Sequence, residues 1–329
     1  MTKAPTVCIY GAGAIGGMIG VLLARAGVPV SVVARGATLA ALRTRGLRLI
    51  TDGETLQADV RAVADPAELG PQDYVIVAVK APALAGIAPA IAPLLGPETA
   101  VVTAMNGVPW WFFANGEGPL AGQGLKAVDP DGVIAGALPV ARAIGCVVHL
   151  ACSVVEPGLI RHATNLRLII GEADNRPTPR LDRLHDWLTR AGFDSVVSAK
   201  IQQDVWFKLW GNLSLNPISL LTEATMDRII DDPLTYDLCR RMMRETAAIG
   251  EAIGLPIDQS VDDRLTLARE LGAFKTSMLQ DLENRKPVEI DALLTATREI
   301  GQRVGIPTPF IDAVLGLARL RARGLGLLA

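Results

Sequence analysis

The sequence predicts an α/β chain in two parts, a largely parallel sheet with helices on its faces followed by an all-helical remainder. Three observations carry this. Short apolar runs at residues 6–10, 28–34, 73–79 and 99–104 alternate with helical patterns, as strands do in a parallel sheet. Aromatics are few, five Trp, three Tyr and six Phe in 329 residues, so the core is mostly aliphatic, which suits a sheet covered on both faces. Strand signals stop after residues 193–198, and every later stretch has a helical period. The expected domains are therefore residues 1–198 and residues 199–329, a comfortable length for two cores.

Bulk properties narrow the partners. Half of the residues are hydrophobic and 20% are charged, with a net charge of −2. Such a balance leaves no electrostatic footprint for nucleic acid. No charge-free apolar window reaches the roughly 18 residues of a spanning helix, so no membrane segment is expected. The N-terminal MTKAPTVCIYG lacks the apolar core of a signal peptide, which makes cytoplasmic the expected location. The four cysteines include no C-x-x-C pair. Cys146, His149 and Cys152 lie in an apolar run that reads as a strand, where His149 points away from the two cysteines. No metal site is expected there, and buried small hydrophobes account for the thiols.

The first strand runs straight into Gly11-Ala12-Gly13-Ala14-Ile15-Gly16 and a helical pattern that ends at Gly27. G-x-G-x-x-G between strand and helix is the turn of a Rossmann dinucleotide-binding domain. Its first glycine permits the turn and its second lets a pyrophosphate approach the backbone. The third allows close helix–strand packing, and the N–H groups of the first helical turn receive the phosphates. An NAD-specific site places an acid at the end of the second strand. Here the chain reads Val33-Ala34-Arg35-Gly36. Arg35 suits a 2′-phosphate instead, so the expected cofactor is NADP, as NADPH. One charge-assisted hydrogen bond contributes about 1.5–3 kcal/mol, or about tenfold to a hundredfold in affinity.

Residues 38–45 read as a helix. Residues 46–51 and 54–63 read as a hairpin around Asp52-Gly53. Lys80 and Asn106 each follow an apolar strand at its C-terminal end, where open α/β sheets bind ligands. Between them, residues 82–95 read as one helix with Pro82 in its first turn. Trp110-Trp111-Phe112-Phe113 is an aromatic cluster that either packs on the second domain or lines a pocket. Residues 143–155, 159–164, 166–171 and 193–198 read as strands, with an amphipathic helix at 181–191.

The helical part opens with VWFKLWGNLSLNP at residues 205–217. Lys208, Asn212 and Asn216 are spaced i, i+4, i+8 and share one helix face, beside an apolar face of Trp206, Leu209, Trp210 and Leu213. Such a stripe is either a solvated edge or a proton donor with two amides converging on a ligand. Pro217 is expected to end or kink the helix at Asn216. Further helices are expected at 237–253, at 260–282 with Ser277 and Asp281 four residues apart, from Pro287 with Glu289 near its start, and at 309–322.

Four features together resemble the ketopantoate reductase (2-dehydropantoate 2-reductase) family over essentially the whole chain. They are GAGAIG near the N-terminus, Asn106-Gly107 after a strand, WFKLWGNLSLNP around Lys208, and SMLQD followed by Glu289-Ile290-Asp291. The resemblance implies an NADP-binding Rossmann domain, an all-helical domain and an active site in the cleft between them. It implies Lys208 as general acid and Glu289 as its neighbouring acid. Asn212, Asn216 and Ser277 bind substrate in this picture. Gly11, Ala12, Gly13, Ala14, Ile15, Gly16, Arg35, Lys80 and Asn106 form the cofactor-binding set. The implied reaction reduces a 2-keto acid at C2 with NADPH, ketopantoate to pantoate in pantothenate biosynthesis.

The residues agree with that chemistry. Negative charge develops on the carbonyl oxygen, and a proton donor beside it stabilises the transition state. No arginine stands out as a bidentate carboxylate clamp, so hydroxyl and backbone donors are expected to hold the carboxylate. One departure bears on the substrate. Where the family has Asn-Gly after its E-I-D motif, this chain has Leu293-Leu294-Thr295. The alternatives are a paralogous NADP-dependent hydroxyacid dehydrogenase of other substrate and a non-catalytic NADP(H)-binding sensor. The expected partner is a small 2-keto acid, and the chain is expected to be a monomer or homodimer.

Overall fold

A computed structural model describes residues 4–113 and 117–328. The chain forms two compact units. One comprises residues 1–79, 83–105 and 133–201, the other residues 80–82, 106–132 and 202–329.

The first unit is a ten-stranded sheet of order β4-β3-β9-β8-β7-β6-β1-β2-β5, with β10 paired to β9. The strands are β1 (Val7–Tyr10), β2 (Val30–Val33), β3 (Leu47–Thr51), β4 (Glu54–Ala58), β5 (Arg61–Val63), β6 (Gln72–Val77), β7 (Leu95–Thr103), β8 (Ala143–Glu156), β9 (Leu159–Glu172) and β10 (Asp194–Val197). Its helices are α1 (Ala14–Arg25), α2 (Gly36–Arg45), the short α3 (Leu84–Ile87) and α4 (Val133–Ala137), and α5 (Pro179–Arg190). The pairs from β5 through β2, β1, β6 and β7 to β8 are all parallel. Counted in chain order these six strands run 3-2-1-4-5-6, the Rossmann order. β1 and β6 are buried almost throughout, as a sheet covered on both faces requires. β8 and β9 make a long antiparallel hairpin, and Gly158 takes φ +75° in its turn.

The second unit is helical among its described residues. It holds α6 (Ile201–Thr222, whose first residue belongs to the other unit), α7 (Met226–Asp231), α8 (Pro233–Ala252), α9 (Val261–Arg269), α10 (Ser277–Glu283), a π-helical turn at Asp291–Thr295, α11 (Ala296–Arg303) and α12 (Pro309–Gly324). Trp206, Leu209, Trp210 and Leu213 of α6 are at most 1% exposed and lie in its core. Residues 106–132 join this unit too, although the expected boundary at 198 places them in the first domain. The aromatic cluster supplies the reason. Phe112 and Phe113 are buried in the helical core, and Phe112 lies 6.2 Å from the Trp206 ring, centre to centre.

The structure corrects several local expectations. α6 does not end at Asn216 but continues to Thr222 with Pro217 inside it. An internal proline costs an isolated helix about 3 kcal/mol. Buried Leu215, Ile218 and Leu220 hold this one by packing, and the Ser219 hydroxyl donates to the Asn216 carbonyl, 2.7 Å away. The helix expected at 82–95 is one short α turn between 3₁₀ turns, because Pro89 and Pro93 remove backbone donors. The helix expected at 260–282 is two, α9 and α10. Gly272 ends the first segment at φ +66°, and the Thr276 hydroxyl caps α10 at the Leu279 N–H. β9 is one strand where two were expected, with Asn165 in the left-handed region at φ +64°. Residues 54–63 divide, since β5 leaves the hairpin and pairs with β2.

Phe112→Ala should lower the unfolding free energy by about 3–5 kcal/mol, the cost of an aromatic cavity, read from urea denaturation. A loss below about 1 kcal/mol would place the segment outside the helical core.

Candidate functional site

In the first unit, the glycine turn leaves β1 where the sheet order reverses, between β2 and β6. Gly11 has φ +102°, and a Cβ there would stand 2.7 Å from Val79 Cγ1. A Cβ on Gly16 would stand 2.1 Å from the Gly11 carbonyl oxygen, so only glycine closes this turn. In front of Gly13 nothing lies within 4 Å of a Cβ position. Gly13 is the N-cap of α1, with no side-chain cap and no acid in the first turn. Open space before uncapped N–H groups at a helix N-terminus is what an anionic pyrophosphate needs. Arg35 is exposed between β2 and α2. These residues fit a dinucleotide.

The second unit gathers the other expected residues. Lys208 donates to Asn106 Oδ1 at 2.8 Å. Asn106 Nδ2 in turn donates to Glu289 Oε2 at 3.4 Å. Glu289 also accepts from the Ala81 N–H at 3.2 Å and from Lys80 at 3.4 Å. Lys80 makes a shorter bond, 2.6 Å, to Asp281 Oδ2. A continuous chain therefore links Lys208, Asn106, Glu289, Lys80 and Asp281. Farther along α6, Asn216 Nδ2 donates to Ser277 Oγ at 3.3 Å. Asn212 is half-buried, and its side chain makes no hydrogen bond among the described residues. No group of metal-ligating side chains forms among them, and no helix is long and apolar enough to cross a membrane.

One of these residues gains a partner that the sequence does not point to. Asp281 was seen four residues after Ser277 without a role, and SMLQD was the only pointer to it. Its importance comes from Lys80, 201 positions away, a pairing that helical spacing cannot predict. Lys80 and Asn106, expected to bind cofactor, both sit in the hydrogen-bond chain of the helical unit.

Electrostatics favour the charged form of Lys80 and oppose that of Asp281. The Asp281 and Glu289 side chains are 10% and 6% exposed. Burial works against the Lys80 ammonium, but Glu289 and Asp281 outweigh it and raise its pKa above the usual lysine value. Burial raises the Asp281 carboxyl; Lys80 opposes this and Glu289 adds to it. Protons are therefore held on Lys80 and on Asp281 more tightly than in water.

Backbone geometry places Asn106. The π-helical turn at Asp291–Thr295 releases the Ala292 carbonyl, which accepts from the Val108 N–H at 2.9 Å. Gly107 has φ +86° and packs against Ala292, where a Cβ would stand 2.6 Å from both Cβ and O. The turn is braced by Asp291, Thr295 and Arg319, which hydrogen-bond one another at 2.6–3.1 Å. π-turns are rare and recur at functional sites. The departure at Leu293-Leu294-Thr295 thus folds as this turn. Gly107→Ala meets both a forbidden φ and a backbone clash, and should lower the urea-derived stability by about 1–3 kcal/mol. An unchanged midpoint would show that Gly107 does not lock this contact.

Comparison with known proteins gives one result throughout. Residues 7–175 match the family described as Ketopantoate reductase PanE/ApbA, and residues 200–322 match Ketopantoate reductase PanE/ApbA C terminal. The chain is 50% identical over 314 residues to the 2-dehydropantoate 2-reductase of Mesorhizobium japonicum, covering 95% of this chain and 96% of that one. A crystal structure from Ralstonia solanacearum, provisionally described as a ketopantoate reductase, shares 56% identity at TM-score 0.95, covering 99% of this chain and 100% of that one. A crystal structure of 2-dehydropantoate 2-reductase from Geobacter metallireducens shares 28% identity at TM-score 0.84, covering 96% and 99%. The chain belongs to the ketopantoate reductase family of oxidoreductases.

Proposed function

We propose that this enzyme reduces a 2-keto acid to the 2-hydroxy acid with NADPH, ketopantoate to pantoate in pantothenate biosynthesis, with Lys208 as proton donor. The observation that carries the reading is the 2.8 Å bond from Lys208 to Asn106, itself tied to Glu289. It holds one ammonium at a fixed place on a polar stripe otherwise made of neutral amides.

Bound NADPH supplies the hydride. The Gly11–Gly16 turn and the first turn of α1 would hold its pyrophosphate, and Arg35 would pair with its 2′-phosphate. Lys80 and Asn106 complete the cofactor-binding set. Lys208 hydrogen-bonds the keto oxygen and gives it a proton as negative charge develops there. Asn106 keeps the ammonium from swinging away, and Glu289 in turn fixes Asn106. Asn212, Asn216 and Ser277 offer neutral hydrogen-bond partners to the substrate's hydroxyl and carboxyl oxygens. Of these, Asn212 has its whole hydrogen-bonding capacity available.

Following NADPH absorbance with ketopantoate and a panel of related 2-keto acids tests the reaction. Lys208→Ala should lower kcat by a factor on the order of 10²–10⁴, the usual contribution of a general acid, while NADPH still binds. Near-normal turnover in that variant removes Lys208 from the mechanism. Arg35→Asp should erode the preference for NADPH over NADH by about tenfold to a hundredfold. An unchanged preference would assign the 2′-phosphate to another residue.

A further inference from the structure

Three adjacent strands of the sheet end side by side at the glycine turn. Tyr10 closes β1 and pairs with Val33 of β2, which pairs in turn with Val63 of β5. Arg35 and Asp65 each follow their paired valine by two residues. Both keep extended backbone, Arg35 at φ −132° and ψ 164°, Asp65 at φ −99° and ψ 117°. Residues two apart on an extended chain point to one face. Tyr10, Arg35 and Asp65 therefore share a face of the sheet. Neighbouring strands lie about 4.8 Å apart, a gap that a tyrosine and an arginine span easily.

Tyr10 is 4% exposed, and its buried hydroxyl makes no hydrogen bond of ordinary length among the described residues. A polar atom so placed is costly unless a partner stands close by. Burial raises its pKa, and the nearby Arg35 guanidinium opposes the rise. A guanidinium carries five N–H donors and no acceptor, so toward Arg35 the phenol oxygen can only accept. Asp65, the acid in the same row, turns instead to the Ala67 N–H at 2.9 Å and caps a 3₁₀ turn. Two other arginines nearby are tied to the backbone, Arg43 to the Ala62 carbonyl at 3.2 Å and Arg61 to the Glu68 carbonyl at 2.6 Å. Arg35 is exposed, and its side chain has no such tether among the described residues. Space beside it is open, since nothing lies within 4 Å of a Cβ position on Gly36.

An exposed arginine has many rotamers, and freezing them costs entropy when a ligand binds. A hydroxyl beside the guanidinium narrows that choice beforehand. Resting on the NADPH reading above, we propose that Tyr10 is a positioning residue for the cofactor, its hydroxyl accepting from Arg35 and holding the guanidinium at the end of β2 for the 2′-phosphate. Arg35 supplies the charge and Tyr10 its placement. One N–H group directed at the phenol leaves the rest of the planar fork for a phosphate. A dinucleotide without the 2′-phosphate gains from neither residue. The pair therefore acts on the choice between the two cofactors rather than on dinucleotide affinity in general.

The test titrates NADPH and NADH, which differ by the 2′-phosphate alone, against the full chain in wild type, Tyr10→Phe, Arg35→Ala and the double variant. Tyr10→Phe should weaken NADPH about twofold to tenfold, the reach of one hydrogen bond, and leave NADH unchanged. Its melting temperature should be equal or higher, since the ring stays and a buried hydroxyl goes. Arg35→Ala should weaken NADPH more, and adding Tyr10→Phe to it should cost nothing further, because Tyr10 acts through Arg35. Equal losses for the two cofactors, no loss, or a Tyr10→Phe loss that persists without Arg35 would each overturn the role of Tyr10. Selective loss of NADPH in Arg35→Ala but not in Tyr10→Phe would sink this role and leave the NADPH reading standing. A wild type that binds NADH as tightly as NADPH would sink both.

Discussion

A carboxylate that is 6% exposed has to be satisfied from within the protein, and Glu289 is that group here. It stands just before the helical segment that begins at Ile290, where the positive end of the helix dipole favours an acid. The dipole alone does not balance a buried charge. Glu289 therefore draws in a backbone N–H from Ala81, the Lys80 ammonium and the Asn106 amide. Asn106 has a single orientation that satisfies this, amide nitrogen toward Glu289. Its oxygen is then presented to Lys208. The orientation of the proposed proton donor follows from the need to satisfy one buried acid.

The backbone has to deliver these groups, and two irregular segments do so. The π-turn at Asp291–Thr295 frees a carbonyl for Val108, and Gly107 admits the close approach. Pro217 interrupts the hydrogen bonding of α6 one residue after Asn216, at the place where Asn216 reaches Ser277. Buried Ser219 links the two helices as well, since its hydroxyl bonds both the Asn216 carbonyl and the Thr276 hydroxyl that caps α10. Both irregularities would cost an isolated helix stability. Packing in the core that contains Trp206, Leu213 and Ile218 supplies it.

Charge divides the polar stripe into roles. Lys80 lies between Asp281 and Glu289 and is raised in pKa by them, so it stays a cation and holds the network together. Lys208 donates to the amide oxygen of Asn106. Arg264 has an aromatic face and no acid. These three cations of one unit thus have different described neighbours, two carboxylates for Lys80, an amide oxygen for Lys208 and an aromatic face for Arg264.

Much of this was readable from residue order, for a physical reason. Strand–turn–helix motifs are local, so GAGAIG after an apolar run was enough to place the glycine turn between β1 and α1. Helical period was enough to align Lys208, Asn212 and Asn216, because side chains four apart share a face. Local rules also erred where packing overrides propensity. They stopped α6 at Pro217, merged α9 with α10, and made one helix of a segment broken by Pro89 and Pro93. The pairings Lys80–Asp281, Asn106–Glu289 and Lys208–Asn106 join positions 102 to 201 residues apart, and no spacing rule reaches that far. Arg264 is the plainest case. Its sequence neighbours Asp262 and Asp263 suggest an ordinary surface charge, and its separation from them became visible only when α9 packed onto the gap left by Gly211 in α6.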